Sequence, residues 1–411
     1  MIRVQSYYRV TLLFFAATLL AFPLANADVV TDWNTTIVNI AVAAQLPPPP
    51  TNRVIAIVQT AAYEAANAIT GRYPQDRVKL APAPGASVDA AIAAACRVTL
   101  SKLVASQQAA INSAYEVALS AIKDSPGKTE GIKIGEKAAA AILTLRSDDG
   151  AGAPENYRPH TAPGVYVPTT IPAVPQWPQR KPWIMATPDQ FRPAPPPELN
   201  SEVWLRDYNE IKTIGSKKSS TRTPEQTEIA RFWEATAPTI YYPVVRSVAN
   251  VPGRDVMQNA RLLAIVAQAM DDALIAVFDA KYHYNFWRPI TAIRNGDTDG
   301  NDATERDPSW VPFIDTPMHP EYPCAHCIVA GTIGAILRAE IGAGTTSILS
   351  TTSPTAPGVV RSWTRVDDFV QEVANARIYD GVHYRNSTEV GTAMGTKIGE
   401  LAASKYLRPI K

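Results

Sequence analysis

Cysteine is scarce, with three in 411 residues. Three cannot staple a chain this long, which excludes the small disulfide-rich scaffolds. Histidine is also rare: there are five, and four fall between His283 and His383. Neither sign of charge prevails, because 39 Lys and Arg face 38 Asp and Glu for a formal charge of +1, with no basic run. General nucleic-acid binding needs concentrated cations to neutralise phosphates, so it is excluded. Beyond the N-terminus no stretch reaches the roughly 18 uninterrupted apolar residues of a membrane-spanning helix. A 46% hydrophobic share excludes whole-chain disorder and allows a sizeable core. Proline, at 35, outnumbers glycine, at 21.

The N-terminus stands apart. Arg3 and Arg9 precede an apolar run from Val10 to Leu24, followed by Ala25-Asn26-Ala27 and Asp28. That order is the pattern of a secretory signal peptide. An uncleaved anchor is the competing reading. However, the run is shorter than the roughly 20 residues of a spanning helix, and Pro23 interrupts it. Cleavage after Ala27 removes two arginines and no acids, turning the net charge from +1 to −1. The mature chain is then expected to be secreted or periplasmic, without a membrane span, in a compartment that permits disulfides.

After this segment apolar residues recur at helical spacing. Helices are expected over Val29–Leu46, Val54–Ile69, Ser87–Ser106, Gln107–Lys123 and Thr129–Leu145, the first stopped by Pro47-Pro48-Pro49-Pro50. Residues 146–197 are rich in Pro and Gly and read as a long surface connection. Helices resume near Glu202–Thr213, Thr223–Ala235, Arg254–Tyr284, Cys324–Ile341, Val366–Tyr379 and His383–Lys405. No strand series and no glycine-rich phosphate loop is evident. The expectation is an all-α fold of packed bundles, with an N-terminal half (28–197) ending in the Pro-rich connection and a C-terminal half (198–411).

Three short segments carry chemistry. In the first, Lys281 and Arg288-Pro289 flank Tyr282, Tyr284, Phe286 and Trp287. On one continuous helix the two cations would point the same way. A solvated basic edge is one reading; a buried pair sharing an anion is the other, because buried cations need partners. The second segment runs from His319 to Cys327, His-Pro-Glu-Tyr-Pro-Cys-Ala-His-Cys. Its prolines place Cys324, Ala325 and His326 at a helix N-terminus, where free amides attract anions. His326 could then exchange a proton with a bound oxygen. Cys324 and Cys327 could equally be a redox-active or structural pair. In the third segment Arg377 and His383 diverge on an uninterrupted helix, but Asp380-Gly381 offers a break that lets them converge. The alternative is a plain helix corner. Together these segments suit an oxyanion, with one histidine bonding its central atom and another managing protons.

These motifs resemble the vanadium-dependent haloperoxidase and type 2 phosphatidic acid phosphatase superfamily. Its K-x6-R-P element is met by Lys281, Arg288 and Pro289. Its P-S-G-H element appears as Pro323-Cys324-Ala325-His326. Its S-R-x5-H-x3-D element appears with Ala376, Arg377, His383 and Ser387. The Phe286-Trp287-Arg288-Pro289 string is closer to the haloperoxidase branch. The resemblance implies packed helical bundles. It implies vanadate held by Lys281, Arg288, Arg377, Cys324 and the amide of Ala325, with His383 as vanadium ligand and His326 as acid–base residue. The substrates implied are hydrogen peroxide with halide or a small organic molecule. His319 is placed near the apical side of the anion, and Trp287, Asp380 and Ser387 around it. Cys324 stands where the family uses serine, and Ser387 where it uses aspartate, a loss Asp380 could make good. An acid phosphatase forming a phosphohistidine on His383, with a phosphate ester as substrate and no cofactor, is the alternative. A non-catalytic phosphate or vanadate binder is another. A metal site of His319, Cys324, His326 and Cys327 is crowded for tetrahedral zinc. The oligomeric state stays open.

Overall fold

Capping chemistry sets where the helices begin. The computed structural model describes residues 28–75, 77–236, 238–342 and 348–405, so the signal-peptide expectation for residues 1–27 lies outside the described residues. Helix α1 (Val29–Ala43) opens on Asp28, whose carboxylate accepts from the Val30 and Thr31 amides. Helix α2 (Pro48–Thr70) starts inside the proline run, which corrects the expected start at Val54. Proline's fixed φ and missing N–H suit a first helical turn. Helices α3 (Val88–Leu103), α4 (Gln108–Ser120) and α5 (Pro126–Leu145) follow.

The second half holds α6 (Glu202–Ile214), α7 (Pro224–Trp233), α8 (Tyr242–Ala249), α9 (Val256–Tyr284), α10 (Pro289–Arg294), α11 (Ala325–Ile341), α12 (Val366–Tyr379) and α13 (Arg385–Lys405). The short helices α8 and α10 add to the expected set. So does one antiparallel hairpin, β1 (Leu349–Ser353) with β2 (Ala356–Trp363), the single departure from an all-α fold among the described residues. β1 is rich in threonine and serine, and β2 has only Val359-Val360 as an apolar pair, so no long apolar run announces them.

Helix α9 organises the molecule. Its 29 residues start at a capping box of Asp255 and Gln258, and nearly every side chain from Met257 to Lys281 is buried. A helix buried on nearly all faces belongs in a core, and its few polar side chains there need partners. Helix α2 packs on it from the N-terminal half, and α11 and α13 pack on it from the other. One hydrophobic cluster therefore runs from Val30 to Ala402. Helices α11 and α13 approach closely because of Gly395: a Cβ there would lie 2.0 Å from the Ile328 carbonyl oxygen.

The Pro-rich segment 146–197 is an ordered strap tied to α9 by charge. Arg180 bridges Asp149 at 2.8 Å and Asp271 at 2.5 Å. Asp272 accepts the amides of Trp183, Ile184 and Met185 at 2.6, 2.7 and 2.9 Å. Arg192 pairs with Asp279 at 2.8 Å. The amides of the strap's buried Trp183-Ile184-Met185 stretch thus find a partner, as buried backbone requires.

Candidate active site

The end of α9 supplies the first cation. Lys281 lies in its last turn, and the helix then stops at Asn285, a C-cap in the left-handed conformation at φ 49°. This corrects the picture of Lys281 and Arg288 on one helix. Arg288 is the N-cap of α10, brought back toward Lys281 by the turn between them. The buried Lys281 ammonium donates to the carbonyls of Pro320 and Glu321 at 2.9 and 2.8 Å. Arg288, 1% exposed, donates from Nε to the His319 carbonyl at 2.9 Å and from a terminal nitrogen to the Val382 carbonyl at 2.8 Å. Both cations are gripped by dipoles. Burial, reinforced by Arg288, pushes the Lys281 ammonium well below its ordinary range. Burial likewise pulls Arg288 down to about 10.

Helix α12 supplies the third cation and the break after it. Arg377 donates to the Trp233 carbonyl at 2.8 Å and pairs with Asp380 at 2.5 Å. Its Nε is buried without a hydrogen-bond partner. Gly381, at φ +79° and with its Cβ position 2.3 Å from the Gly215 carbonyl oxygen, makes the turn that only glycine fits. Asp380-Gly381 is therefore the expected break, and α13 restarts at Arg385 rather than at His383.

His383 hangs between the cations and a carboxylate. Its Nδ1 lies 2.7 Å from Glu321 Oε1, and its Nε2 lies 3.3 Å from an Arg288 terminal nitrogen. These partners assign the proton to Nδ1 and leave a lone pair on Nε2. Burial lowers the imidazole pKa well below its ordinary value, and Arg288, Lys281 and Arg377 lower it further. Glu321 also accepts the Tyr384 amide at 3.1 Å. Burial raises Glu321 to about 7, against the pull of Lys281 and Arg288.

Glu321 is the residue that sequence reasoning missed. Asp380 was the expected partner for His383, but it turns to Arg377; the carboxylate on His383 comes from the second segment, just ahead of its motif. Ser387, in the family's aspartate place, is buried, and its hydroxyl has no hydrogen-bond partner. The available signal was an acid held between Pro320 and Pro323, just ahead of a helix N-terminus.

The remaining predicted residues fall as follows. Cys324 is the N-cap of α11 and forms a disulfide with Cys327, while its Sγ accepts the Cys327 amide at 3.2 Å. In that state it has no S–H to donate to an anion, unlike the serine it replaces. Ala325 opens the helix. His326 lies in its first turn, its Nε2 3.2 Å from the Ala235 carbonyl, which leaves Nδ1 as the lone-pair nitrogen. Burial depresses the pKa of His326, and Arg377 adds to the effect. His319 is half-buried; it receives a bond from Arg288 at 3.0 Å and stands edge-on to Phe278. Trp287 stacks on Trp204 in an aromatic cluster behind the site. Among the described residues no three His, Cys, Asp or Glu side chains converge as metal ligands.

Ala325, His326, His319, Arg377 and His383 share the wall of one cavity of about 670 Å³. These features define a helical-bundle protein with a buried cationic cradle, facing a histidine-lined chamber.

Comparison with known proteins bears on the family. Residues 261–411 match the family model of the VCPO second helical-bundle domain. The vanadium chloroperoxidase of Curvularia inaequalis is 25% identical over 276 residues, 53% of this chain and 45% of that protein, so the match spans less than half of the relative's length. The crystal structure described as the first bacterial vanadium-dependent iodoperoxidase superposes with a TM-score of 0.78 at 23% identity, covering 93% of this chain and 96% of that one. An apo-type bacterial vanadium-dependent chloroperoxidase superposes at 0.70 with 17% identity over 87% and 93% of the two chains. Residues 261–411 are thus similar in sequence to that family's second helical-bundle domain, and the chain has the fold of the vanadium haloperoxidase structures, as the three motifs led us to expect.

Proposed function

We propose that the chain is a secreted or periplasmic haloperoxidase that oxidises halide with hydrogen peroxide. The observation that carries this reading is His383: its Nε2 lone pair lies among Lys281, Arg288 and Arg377, and its Nδ1 is tied to Glu321. Export is supported by the signal-peptide pattern of residues 1–27.

The residues present fit vanadate. Three cations are buried with only two acids, Glu321 and Asp380, and burial raises both of those to about 7. The buried Nε of Arg377 lacks a partner, which an oxyanion would provide. Lys281, Arg288, Arg377 and the Ala325 amide would hold its oxygens, and His383 Nε2 its central atom. Bound vanadate supplies a Lewis acid that makes peroxide electrophilic toward halide.

The protein groups do the rest. Glu321 fixes the His383 tautomer and ring plane. The buried cations provide preorganised charge in a medium of low dielectric, where it acts most strongly. His326, neutral and with Nδ1 free, accepts a proton from a ligand in the chamber and returns it. His319, held by Arg288, shares the chamber wall and is placed to stage halide or peroxide.

One observation favours phosphatase chemistry as a second reading. A neutral imidazole backed by a carboxylate is also an activated nucleophile. The test is a paired assay of the vanadate-loaded and vanadate-free protein. Bromide or iodide oxidation by the loaded form supports the haloperoxidase. Phosphate-ester hydrolysis by the free form, lost in His383→Ala, supports the phosphatase. Vanadate binding with neither activity indicates a binder.

A further inference from the structure

The Cys324–Cys327 disulfide has no part in the proposed chemistry, and it is poorly placed to be a staple. Stabilisation by a disulfide grows with the loop it closes, and this one ties residues three apart in a turn that the helix already holds. Its position suits reversible chemistry instead. Cys324 is the N-cap of α11 and Cys327 the third helical residue, with Cα atoms 5.3 Å apart. That separation falls in the ordinary disulfide range of about 4.4–6.8 Å, and the helix fixes it whether or not the sulfurs are bonded. The pair can open and close without moving the backbone.

The two sulfurs are not equivalent. The Cys324 Sγ accepts the Cys327 amide at 3.2 Å. An N–H aimed at sulfur, at the positive end of a helix dipole, favours a thiolate there once the bond is open. The next two residues, Ala325 and His326, line the chamber with Arg377 and His383. The space that peroxide would enter thus begins one residue from Cys324. Cys327 packs against α13, where a Cβ on Gly391 would lie 3.3 Å from its Cβ. The third cysteine, Cys96 of α3, is free and buried, and burial pushes its thiol well above the ordinary range. It is therefore an inert internal reference. An open Cys324 beside peroxide faces a hazard: a thiolate left alone is oxidised to sulfenic and then to sulfinic acid, which thiols do not reduce back. A sulfinate would set a permanent negative charge at a position that the resemblance assigns to holding the anion.

We propose that Cys324 and Cys327 are a peroxide-reactive pair, Cys324 attacking and Cys327 resolving, which protects position 324 from irreversible oxidation. Peroxide as the oxidant rests on the haloperoxidase reading; the pairing of the two sulfurs does not. The Cys324 thiolate attacks one peroxide oxygen, the O–O bond breaks, and the leaving hydroxide takes up the proton that the thiol released. The Cys327 sulfur then attacks the sulfenic sulfur, the S–S bond forms, and the second oxygen leaves as water. In sum, two thiols and one peroxide give one disulfide and two waters. Each sulfur loses one electron and each oxygen gains one. A dithiol reductant reopens the pair by exchange.

The test uses the purified chain without vanadate. In Cys327→Ser, Cys324 is free and nothing resolves it. Peroxide should add about 32 Da, two oxygen atoms, and peptide mapping should place both on Cys324. Affinity for inorganic phosphate, by calorimetry, should then fall roughly tenfold or more, because a like charge has been set beside the anion. In Cys324→Ser the same treatment should leave Cys327 unoxidised and the phosphate affinity unchanged. Cys327→Ala serves if the serine variant does not keep the circular dichroism of the wild type. Wild type opened with dithiothreitol and freed of it should show all three thiols in denaturant, and Cys96 alone after one equivalent of peroxide.

A folded Cys327→Ser chain that peroxide leaves unmodified overturns the proposal, as does opened wild type that keeps three thiols in excess peroxide. Oxidation of Cys324 without loss of phosphate affinity overturns the protective role. If the untreated chain binds no phosphate, the anion cradle fails and the mass shift alone decides. The haloperoxidase reading is judged separately, by halide oxidation after vanadium loading. Closure of the pair in protein that carries vanadium and oxidises no halide contradicts that reading and supports the pair as a peroxide-reactive site. Halide oxidation by protein whose Cys324 does not react overturns the pair alone.

Discussion

Glu321 shows how much of the site depends on one side chain outside the recognised signature. The motif supplies His383 but not the group that sets its tautomer. Here that group is a carboxylate 2.7 Å from Nδ1, contributed 62 residues earlier. Replacing it with an amide keeps the size and removes the charged acceptor. Partners of this kind typically contribute about 10–100-fold to metal affinity or activity. Glu321→Gln should therefore weaken orthovanadate binding by about that factor, read by equilibrium dialysis with elemental analysis. Affinity equal to wild type would show that His383 is oriented by something else. Glu321 was not legible as the partner because the sequence offered a nearer acid, Asp380. Only the turn at Gly381 shows that Asp380 faces Arg377 instead.

At the scale of elements, the strap and the glycine contact are the testable devices. Asp149 is buried among Arg53, Arg146 and Arg180. Burial alone would raise its carboxyl, but the bonds and charges of Arg53 and Arg180 hold it at about 2. A carboxylate depressed on folding stabilises the protein above its unfolded pKa of 3.8, and that contribution is lost as pH falls toward about 2. Asp149→Asn leaves three arginines with one acid fewer. It should cost about 3–5 kcal/mol near neutrality, by denaturant titration, and the gap to wild type should close below pH 4. A gap independent of pH contradicts the ionic account. Gly395→Ala drives a methyl group into the Ile328 carbonyl of α11 and should cost roughly 1–3 kcal/mol. Wild-type stability in that variant would mean that the two helices can separate without penalty.

The long helices were legible because their apolar spacing is regular and long. The hairpin at 349–363 was not, since its alternation is mostly polar. The start of α2 was misread because proline ends a helix from inside but begins one at the first turn. The strap's course depended on pairs such as Asp272 with the Trp183, Ile184 and Met185 amides, which no local pattern announces.

At the scale of the molecule, a near-neutral chain concentrates three cations in one buried place. The +1 balance of the sequence conceals this. Helix α9 delivers Lys281, the turn after it Arg288, and α12 Arg377, and all three side chains are buried. The most direct test of the account is iodide and bromide oxidation by wild type and His383→Ala, each incubated with orthovanadate and peroxide and each assayed for bound vanadium. The account predicts oxidation by the wild type, with stoichiometric vanadium, and loss of both in the variant. Wild type that carries vanadium and oxidises neither halide, or a variant that matches wild type, would contradict it.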